Sequence, residues 1–428
     1  MFKKMATLMF FYHFAWMIIV LSFLPLVPIL RSRRFIERAG LSLPEDRPER
    51  GSIWIHALSV GEVLSAIPLV KSLNQKYPEK GIVFTVATPQ GMEIARNELE
   101  KDVTALLTMP LDFWWSIRRI VNYIRPSFFI LIETDVWPGL ISHLRNRGIK
   151  TILVNGRISP RTFASYKKFS YATRFMLNLI ELFMMQSDLD RGRLLKIGIG
   201  PDKVRTVGNI KFDRTWLSMN EEEHKQWLDT LDLGHEDEVW VAGSTHQGEE
   251  RIILEVFGRL RSIFSNLRLI IAPRRVERSE DIKSFFLNRG FKAILKTEIP
   301  VNGRPYDVLI LNTLGELGRI YGIAEICFVG GSLIPIGGHN LLEPASLGRP
   351  VLFGPHTHNF VLMSRLLVEA RGGQMVKDGE ELFRAMKGLL SDPEKYKKMG
   401  RQAKEFVEMN KGALERVMGY IDGYIESK

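Results

Sequence analysis

The chain of 428 residues is too long for one ordinary domain and long enough to bury two hydrophobic cores. Its single cysteine, Cys327, excludes a disulfide framework and a cysteine-based zinc site, and it favours a reducing compartment. The net charge of +11 favours polyanionic partners such as nucleic acid, anionic lipid headgroups or phosphorylated substrates. Residues 140–215 contain fifteen basic and five acidic side chains, a concentration that a solvated basic face also explains.

A long apolar segment without a charged side chain runs from Met5 to Leu30. Its length suits a membrane span, and the absence of a small-x-small cleavage site favours retention over removal as a signal peptide. Arginines follow at once, which by the positive-inside rule keeps the rest of the chain cytoplasmic. We therefore expect residues 1–34 to anchor the protein, with an interfacial anchor left open by Pro25 and Pro28.

From Ser52 onward, short apolar runs alternate with amphipathic segments, as is typical of parallel sheets covered by helices. The first series comprises SIWIHA, GIVFTVA, FFILIE, TILVN, LFMMQS and KVRTVGN. A polar interval, residues 214–238, separates it from VWVAGST, LRLIIAP, DVLILNT, ICFVGG and PVLFGP. The pattern predicts an α/β protein with Rossmann-like domains at residues 50–215 and 216–428, the second including the terminal helices. Ligands of such sheets bind beyond the carboxyl ends of the strands.

Charged side chains follow three strands of the first series. Glu62 opens a helix after SIWIHA, where it could act as a general base or merely suit the helix dipole. Glu133 ends FFILIE and places a second carboxylate at the tip of a strand; the alternative explanation, which could hold at the same time, is that Thr134 or Asp135 caps the next helix. Lys211 follows KVRTVGN and could meet a phosphate or carboxylate, although surface lysines at domain boundaries are commoner.

The strand ends of the second series carry groups suited to an anion. Arg274 follows LRLIIAP, and arginine forks bind phosphate well. The paired glycines Gly330 and Gly331 would let backbone amides approach an anionic ligand, as would the helix that begins after GGHN. No complete set of metal ligands, Walker loop or strand-following G-x-G-x-x-G is present, so neither a metal nor a cofactor is expected.

Taken together, these segments resemble the Kdo transferases, which attach 3-deoxy-D-manno-octulosonic acid (Kdo) to a lipid A precursor. The matching blocks, within about residues 54–360, are WIHALSVGEV, IETDVWP, VNGRIS, GNIKFD, GSTHQGEE, IIAPRR, NTLGELGRIY and GGSLIPIGGHNLLEPASLGRPVLFGPHTHNF. The resemblance implies a GT-B glycosyltransferase fold with two facing Rossmann-like domains and an N-terminal anchor helix. It also implies CMP-Kdo as donor, inverting transfer onto lipid IVA, and catalytic domains on the cytoplasmic side of the cell inner membrane.

The resemblance assigns roles to individual residues. Glu62 matches the family's proton acceptor, and Glu133 and Lys211 match positions credited with transition-state stabilisation. The CMP-binding segments correspond to Pro273, Arg274, Gly315, Glu316, Leu317, Asn340, Leu341, Leu342 and Glu343. Arg275 stands where many members have histidine, a departure that leaves the contact of Arg274 intact. Basic residues that could receive the phosphates of the lipid acceptor are Arg157, Arg161, Lys167 and Lys168.

Other functions stay open from the sequence. Nucleotide-sugar epimerases share the two-domain fold, and a membrane-tethered nucleotide-binding scaffold could have kept the pocket without catalysis. The positive charge would suit a nucleic-acid binder, but no nucleic-acid-binding motif accompanies it. For the transferase, the leaving CMP has a single phosphate that Arg274 and helix amides could stabilise, so catalysis is expected to need no divalent metal.

Overall fold

The computed structural model describes residues 12, 14, 16–18, 33–213, 218–299 and 306–425, which divide into two compact units. The first unit comprises residues 1–214 and 411–428, and the second comprises residues 215–410. Each unit contains one seven-stranded sheet in which every neighbouring pair of strands is parallel. The predicted α/β fold with two parallel-sheet domains is confirmed, and each unit is described by itself.

The first unit alternates strands and helices in chain order. Its strands are β1 (Ile53–Ala57), β2 (Ile82–Val86), β3 (Ala105–Thr108), β4 (Phe128–Ile132), β5 (Lys150–Gly156), β6 (Leu182–Met185) and β7 (Val204–Thr206). Its helices up to residue 197 are α1 (Arg33–Arg38), α2 (Val60–Lys76), α3 (Pro89–Leu99), α4 (Trp114–Ile124), α5 (Pro138–Asn146), α6 (Pro160–Lys168), α7 (Ser170–Leu177) and α8 (Asp188–Ile197). A short 3-10 turn, Ile210–Asp213, follows β7.

The sheet of the first unit has the strand order β3-β2-β1-β4-β5-β6-β7. Strands β1, β2 and β4 are buried along their whole length, which explains why the sequence shows continuous apolar runs rather than alternation. The chain changes direction across the sheet between β1 and β4. At such a switch point the loops after two neighbouring strands diverge and leave a crevice for a ligand.

The second unit repeats this construction. Its strands are β8 (Glu238–Thr245), β9 (Leu267–Pro273), β10 (Ala293–Leu295), β11 (Val308–Ile310), β12 (Ile326–Val329), β13 (Val351–Phe353) and β14 (Gly373–Met375). Its helices are α9 (Glu221–Thr230), α10 (Glu249–Arg261), α11 (Ser279–Leu287), α12 (Leu317–Gly322), α13 (Leu342–Ser346), α14 (Val361–Glu369), α15 (Gly379–Leu390) and α16 (Pro393–Met409). The order β10-β11-β9-β8-β12-β13-β14 places the switch point between β8 and β12.

The final helix, α17 (Ala413–Ile425), belongs to the first unit, so the prediction that the terminal helices complete the second domain is wrong for this helix. Val417 and Ile421 are fully buried in a cluster with strands and helices of the first unit. The Asp213 carboxylate accepts hydrogen bonds from the backbone of Gly412 and Leu414. The sequence could not show this, because an apolar helical stripe does not name the surface it packs on.

Within the described part of the chain, no helix has the length and apolar character needed to cross a membrane. The predicted anchor, residues 1–34, lies almost entirely outside the described residues.

Replacing Asp213 with alanine is expected to loosen α17. Two backbone N–H groups would lose their acceptor, a loss on the order of 2 kcal/mol. Hydrogen exchange followed by mass spectrometry should show faster exchange in residues 411–425 and unchanged exchange in the second unit. Glu79→Ala, which alters an exposed side chain in the loop before β2, is the matched control. Unchanged exchange of α17 in Asp213→Ala would mean that apolar packing alone holds this helix.

Candidate active site

Glu62 lies in the first turn of α2, just beyond the end of β1. Its side chain is buried, and the backbone N–H of Leu58 donates to its Oε2 at 2.5 Å. Burial and the negative charges of Glu133 and Asp135 together raise the pKa of this carboxyl to about 8, against the opposing effects of the Leu58 N–H group and Lys211. A carboxyl with such a pKa can exchange a proton near neutral pH.

Glu133 and Lys211 form an ion pair at the same edge of the sheet as Glu62. Glu133 directly follows β4 with a φ of 58°, and its Oε1 accepts from Lys211 Nζ at 3.1 Å. Ser65 Oγ, one turn along α2 from Glu62, lies 3.5 Å from the same oxygen. The structure thus brings together three predicted residues that are separated by up to 149 positions, because β1, β4 and β7 all end at one edge.

A buried amide network that the sequence reasoning missed holds the turn carrying Lys211. Asn155 Oδ1 accepts from the backbone of Ile210 at 3.2 Å, and Gln186 donates to the Asn155 carbonyl at 2.9 Å. Asn209 donates to Gln186 at 3.1 Å, and its own Oδ1 accepts from the backbone N–H of Lys211 at 3.0 Å. The sequence did contain a signal for this network, because Asn155 lies in the VNGRIS block and Asn209 lies in the GNIKFD block.

Asp135 faces the site, and neither it nor Thr134 caps the following helix, so the alternative explanation of this acidic segment does not apply. Its Oδ2 accepts from Trp137 Nε1 at 2.8 Å and lies 3.9 Å from Nε2 of the fully buried His56. Asp112 caps α5 instead, accepting from the backbone of Gly139 and Leu140 at 2.9 and 2.7 Å. Asp112 is 25 residues before the cap position, so no local pattern reveals it.

The predicted acceptor residues do not share one location. The backbone N–H of Arg157 donates to Thr134 Oγ1 at 3.1 Å, which places this residue beside Glu133. The other three lie on α6, with Arg161 near its start and Lys167 and Lys168 at its end, about 9 Å along the helix. Only Arg157 is thus tied to the carboxyl edge by a hydrogen bond in the described structure.

In the second unit, the predicted CMP segments follow strands of the sheet. Arg274 comes directly after β9, and its backbone N–H donates to the carbonyl of Thr245 at the end of β8, at 3.0 Å. Gly315, with a φ of 84°, turns the chain after β11, and Glu316 then accepts from Lys296 at 2.7 Å. The remaining segment, Asn340 to Glu343, follows β12 and opens α13, where Asn340 Oδ1 accepts from the backbone of Leu342 at 3.1 Å.

Two histidines that the sequence reasoning did not select lie beside Arg274. His246 and His339 stack with ring centroids 5.1 Å apart, and their Nε2 atoms are 2.8 Å apart. Burial lowers the pKa of His339 to about 4, helped by the positive charge of Arg274 and by His246. Burial also lowers the pKa of His246, and nearby arginines add to this. A neutral imidazole can donate a hydrogen bond from a ring N–H group. Together with the neighbouring arginines, this pair of histidines is therefore suited to binding an anion.

The glycine pair after β12 allows the backbone to pack closely, and three backbone N–H groups of this turn already donate hydrogen bonds to a side chain. Glu249, fully buried in the first turn of α10, accepts from the backbone of Gly331, Ser332 and Leu333 at 2.7 to 3.0 Å. A Cβ at Gly330 would lie 2.6 Å from the carbonyl of Ser244, so no larger residue fits. These amides were expected to approach an anionic ligand. For Gly331, Ser332 and Leu333 this expectation is wrong, because their N–H groups donate to Glu249.

No group of three or more His, Cys, Asp or Glu side chains is arranged to hold a metal ion among the residues that the structure describes.

Comparisons with known proteins agree on one family. A profile of the family described as "3-Deoxy-D-manno-octulosonic-acid transferase (kdotransferase)" matches residues 33–214. A 3-deoxy-D-manno-octulosonic acid transferase of Haemophilus influenzae is 35% identical over 95% of this chain and 96% of its own length.

Two solved structures share the fold at low identity. One is a UDP-GlcNAc 2-epimerase from Neisseria meningitidis (TM-score 0.58, 14% identity, 86% of this chain and 99% of that one). The other is a glycosyltransferase from Rickettsia africae (TM-score 0.56, 13% identity, 89% of this chain and 100% of that one). The fold is thus similar to that of a known glycosyltransferase and of an epimerase.

Replacing Glu62 with glutamine is expected to stabilise the protein at alkaline pH. The folded protein keeps a proton up to about pH 8 that the unfolded chain, with a carboxyl pKa of 4.5, releases earlier. Wild-type stability therefore falls as the pH rises between these values, by on the order of 4 kcal/mol, whereas the variant has no proton to lose.

Unfolding free energies at about pH 5 and about pH 9 check this expectation, because the advantage of Glu62→Gln should grow with pH. Glu79→Gln controls for loss of an exposed carboxylate. An advantage independent of pH would mean that Glu62 is ionised in the folded protein throughout this range.

Proposed function

Because the chain belongs to the family of 3-deoxy-D-manno-octulosonic acid transferases, we propose that it moves Kdo from CMP-Kdo to the lipid A precursor lipid IVA, with inversion at the transferred carbon. The observation that carries this proposal is the buried Glu62, whose pKa of about 8 suits a general base, beside the Lys211–Glu133 ion pair. In this proposal the first unit binds the acceptor and the second binds the donor.

The proposed reaction is a single displacement. Glu62 accepts the proton of an acceptor hydroxyl while that oxygen attacks the anomeric carbon of Kdo, and the bond from this carbon to the CMP phosphate breaks. One attack from the face opposite the leaving group inverts the configuration. The negative charge of Glu133 raises the pKa of Glu62 and so strengthens it as a base, and Lys211 limits this effect.

The groups of the second unit suit the departing nucleotide. CMP leaves with a developing negative charge on its phosphate, and Arg274 with the neighbouring neutral histidines His246 and His339 offers positive charge and N–H donors. These groups can stabilise one phosphate without a divalent ion, so we propose metal-independent transfer. Lys296 and Glu316 form an ion pair after β11, which is a second place in this unit where polar groups could contact the nucleotide.

The proposed location is the cytoplasmic side of the cell inner membrane. Its support is the apolar sequence from Met5 to Leu30 with arginines after it, together with the lipid nature of the proposed acceptor. A tethered enzyme searches only the surface on which a lipid acceptor lies.

Three other candidates, an epimerase, a catalytically inactive scaffold and a nucleic-acid binder, differ from the transferase in testable ways. The epimerase fold is equally similar, but the sequence relationship over nearly the whole chain is to a transferase. A catalytically inactive scaffold would have no need for a buried, proton-exchanging Glu62. A nucleic-acid binder would show steep salt-dependent affinity for DNA.

Removal of Glu62 is expected to abolish transfer. Full-length protein in detergent is incubated with CMP-Kdo, tetraacyl lipid A precursor and EDTA, and the lipid is analysed by mass spectrometry. Wild type should add whole Kdo units, and their number is read directly from the mass. Glu62→Ala should lower the rate by about 100- to 10,000-fold, because general-base catalysis contributes this much.

The matched control is Glu79→Ala, which removes an exposed carboxylate of the same unit and should leave the rate unchanged. If wild type adds no Kdo under conditions in which an authentic Kdo transferase works, the proposal fails and the scaffold or epimerase takes its place. If transfer requires added Mg²⁺, the proposed metal independence is wrong, and the rest of the proposal stands.

Replacing Arg274 with alanine is expected to weaken the donor site specifically. Loss of one charge-assisted contact to phosphate should raise the KM for CMP-Kdo and the Kd for CMP by about 10- to 100-fold. Calorimetry with CMP measures this without catalysis. Arg251→Ala is the control, since Arg251 is exposed on α10 and pairs with Glu255 one turn away. An unchanged CMP affinity in Arg274→Ala would place the phosphate elsewhere.

A further inference from the structure

A cavity of about 860 Å³ opens on the first unit away from Glu62, Glu133 and Lys211, and of the predicted acceptor residues only Lys167 lines it. The ends of α5 and α8, helix α7 and the segments before β6 and β7 form its wall. Its lining residues Leu179 and Lys203 precede strands, whereas Glu133 and Lys211 follow strands. A strand of four residues such as β6 is about 13 Å long, so the cavity and the candidate active site lie at opposite edges of the sheet.

The charged side chains around the cavity are all positive. Among the described residues that line it there is no carboxylate, and the cations are Arg145, Lys167, Arg174, Lys196 and Lys203. Two of them are fixed at its base: Arg145 donates to the carbonyl of Asn178 at 2.8 Å, and Lys203 donates to the same carbonyl at 3.1 Å. Burial lowers the pKa of Lys203; the carboxylates of Glu181 and Asp202, which lie near Lys203 but do not line the cavity, oppose this effect, and Arg145 adds to it.

The cavity also has an apolar side. Phe175, Leu179 and Ile197 line it, and Leu179 and Ile197 belong to or border the hydrophobic core. At its rim, the side chains of Tyr171 and the adjacent Phe169 are 71% and 59% exposed. Large exposed aromatic side chains next to lysine and arginine are typical of surfaces that meet a lipid headgroup region.

We propose that this cavity binds one anionic phospholipid of the bilayer, with the phosphate among Arg174, Lys196 and Lys167 and the first part of an acyl chain against Phe175, Leu179 and Ile197. A free phosphate would leave the apolar wall without a partner. A neutral amphiphile would make no use of the five cations that line the cavity. A lipid with a negative headgroup satisfies both, and the volume lies within the range of ligand sites.

This lipid differs from the proposed acceptor. The acceptor must present a hydroxyl to Glu62 at the carboxyl edge of the sheet, whereas the cavity opens at the amino edge. A bound phospholipid here would hold the first unit against the membrane surface through α7 and α8, in addition to any anchor. The inference does not depend on the catalytic assignment, because the cavity shares no residue with the cluster of Glu62, Glu133 and Lys211.

The test uses the full-length protein in uncharged detergent and a phosphatidylglycerol with short acyl chains as the probe. Native mass spectrometry counts bound lipids, and calorimetry gives the affinity. We expect saturable binding of one lipid, and we expect the double variant Arg174→Ala, Lys196→Ala to raise its Kd by at least about 10-fold. Both side chains are exposed on helices, so the variant should fold; its transfer rate and unfolding midpoint report this.

Two control variants distinguish the sources of the ligand chemistry. Lys101→Ala removes an exposed cation of the same unit outside the cavity and should leave the Kd unchanged. Phe175→Ser should weaken phosphatidylglycerol but not inorganic phosphate, because only the lipid uses the apolar wall.

Several results would overturn the proposal. They are equal binding of short-chain phosphatidylcholine, an affinity for inorganic phosphate as high as that for phosphatidylglycerol, or a double variant that binds phosphatidylglycerol like wild type. A double variant with unchanged phosphatidylglycerol affinity and a raised KM for the lipid A precursor would instead make the cavity part of the acceptor site.

Discussion

In both sheets every strand runs in the same direction, and the rest of the molecule follows from this constraint. Parallel strands place all their carboxyl ends at one edge, so residues far apart in sequence meet there once the sheet forms. Glu62 follows β1 and Glu133 follows β4, the two strands that flank the switch point of the first sheet. In the second sheet the same relation holds for His246 after β8 and His339 after β12.

Glu62 and Glu249 are buried glutamates at equivalent positions of the two units, and they differ in the number of backbone N–H groups that donate to them. Glu62 and Glu249 each lie in the first turn of the helix that follows the first strand of a sheet. Glu62 accepts one backbone N–H, and burial raises its pKa to about 8. Glu249 accepts four, which oppose the effect of burial and tie the turn after β12 to α10. Burial still raises the pKa of Glu249, so the two side chains differ in how firmly the backbone holds them: four bonds make Glu249 a structural brace, whereas one backbone bond holds Glu62.

The sequence predicted what depends on local pattern and missed what depends on packing. Fully buried strands appear as continuous apolar runs, so eleven of the fourteen strands were found; the three that were missed, β3, β10 and β14, lie at the ends of the two strand orders. Glu62, Glu133 and Lys211 were found because each lies in the segment that follows a predicted strand. The cap of α5 by Asp112 and the pairing of His246 with His339 join residues 27 to 93 positions apart. No short window of sequence contains both partners of such contacts. The predicted roles of the site residues stay predictions.

The return of α17 to the first unit makes residues 215–410 an insertion within another domain. A ribosome completes the inserted unit before it has made the helix that covers one face of the first sheet. The second unit can therefore reach its native state first, although domains usually mature in the order of synthesis. Until residues 411–425 emerge, Val417 and Ile421 are missing from the hydrophobic cluster of the first unit, which leaves apolar surface exposed to chaperones or to the membrane during translation.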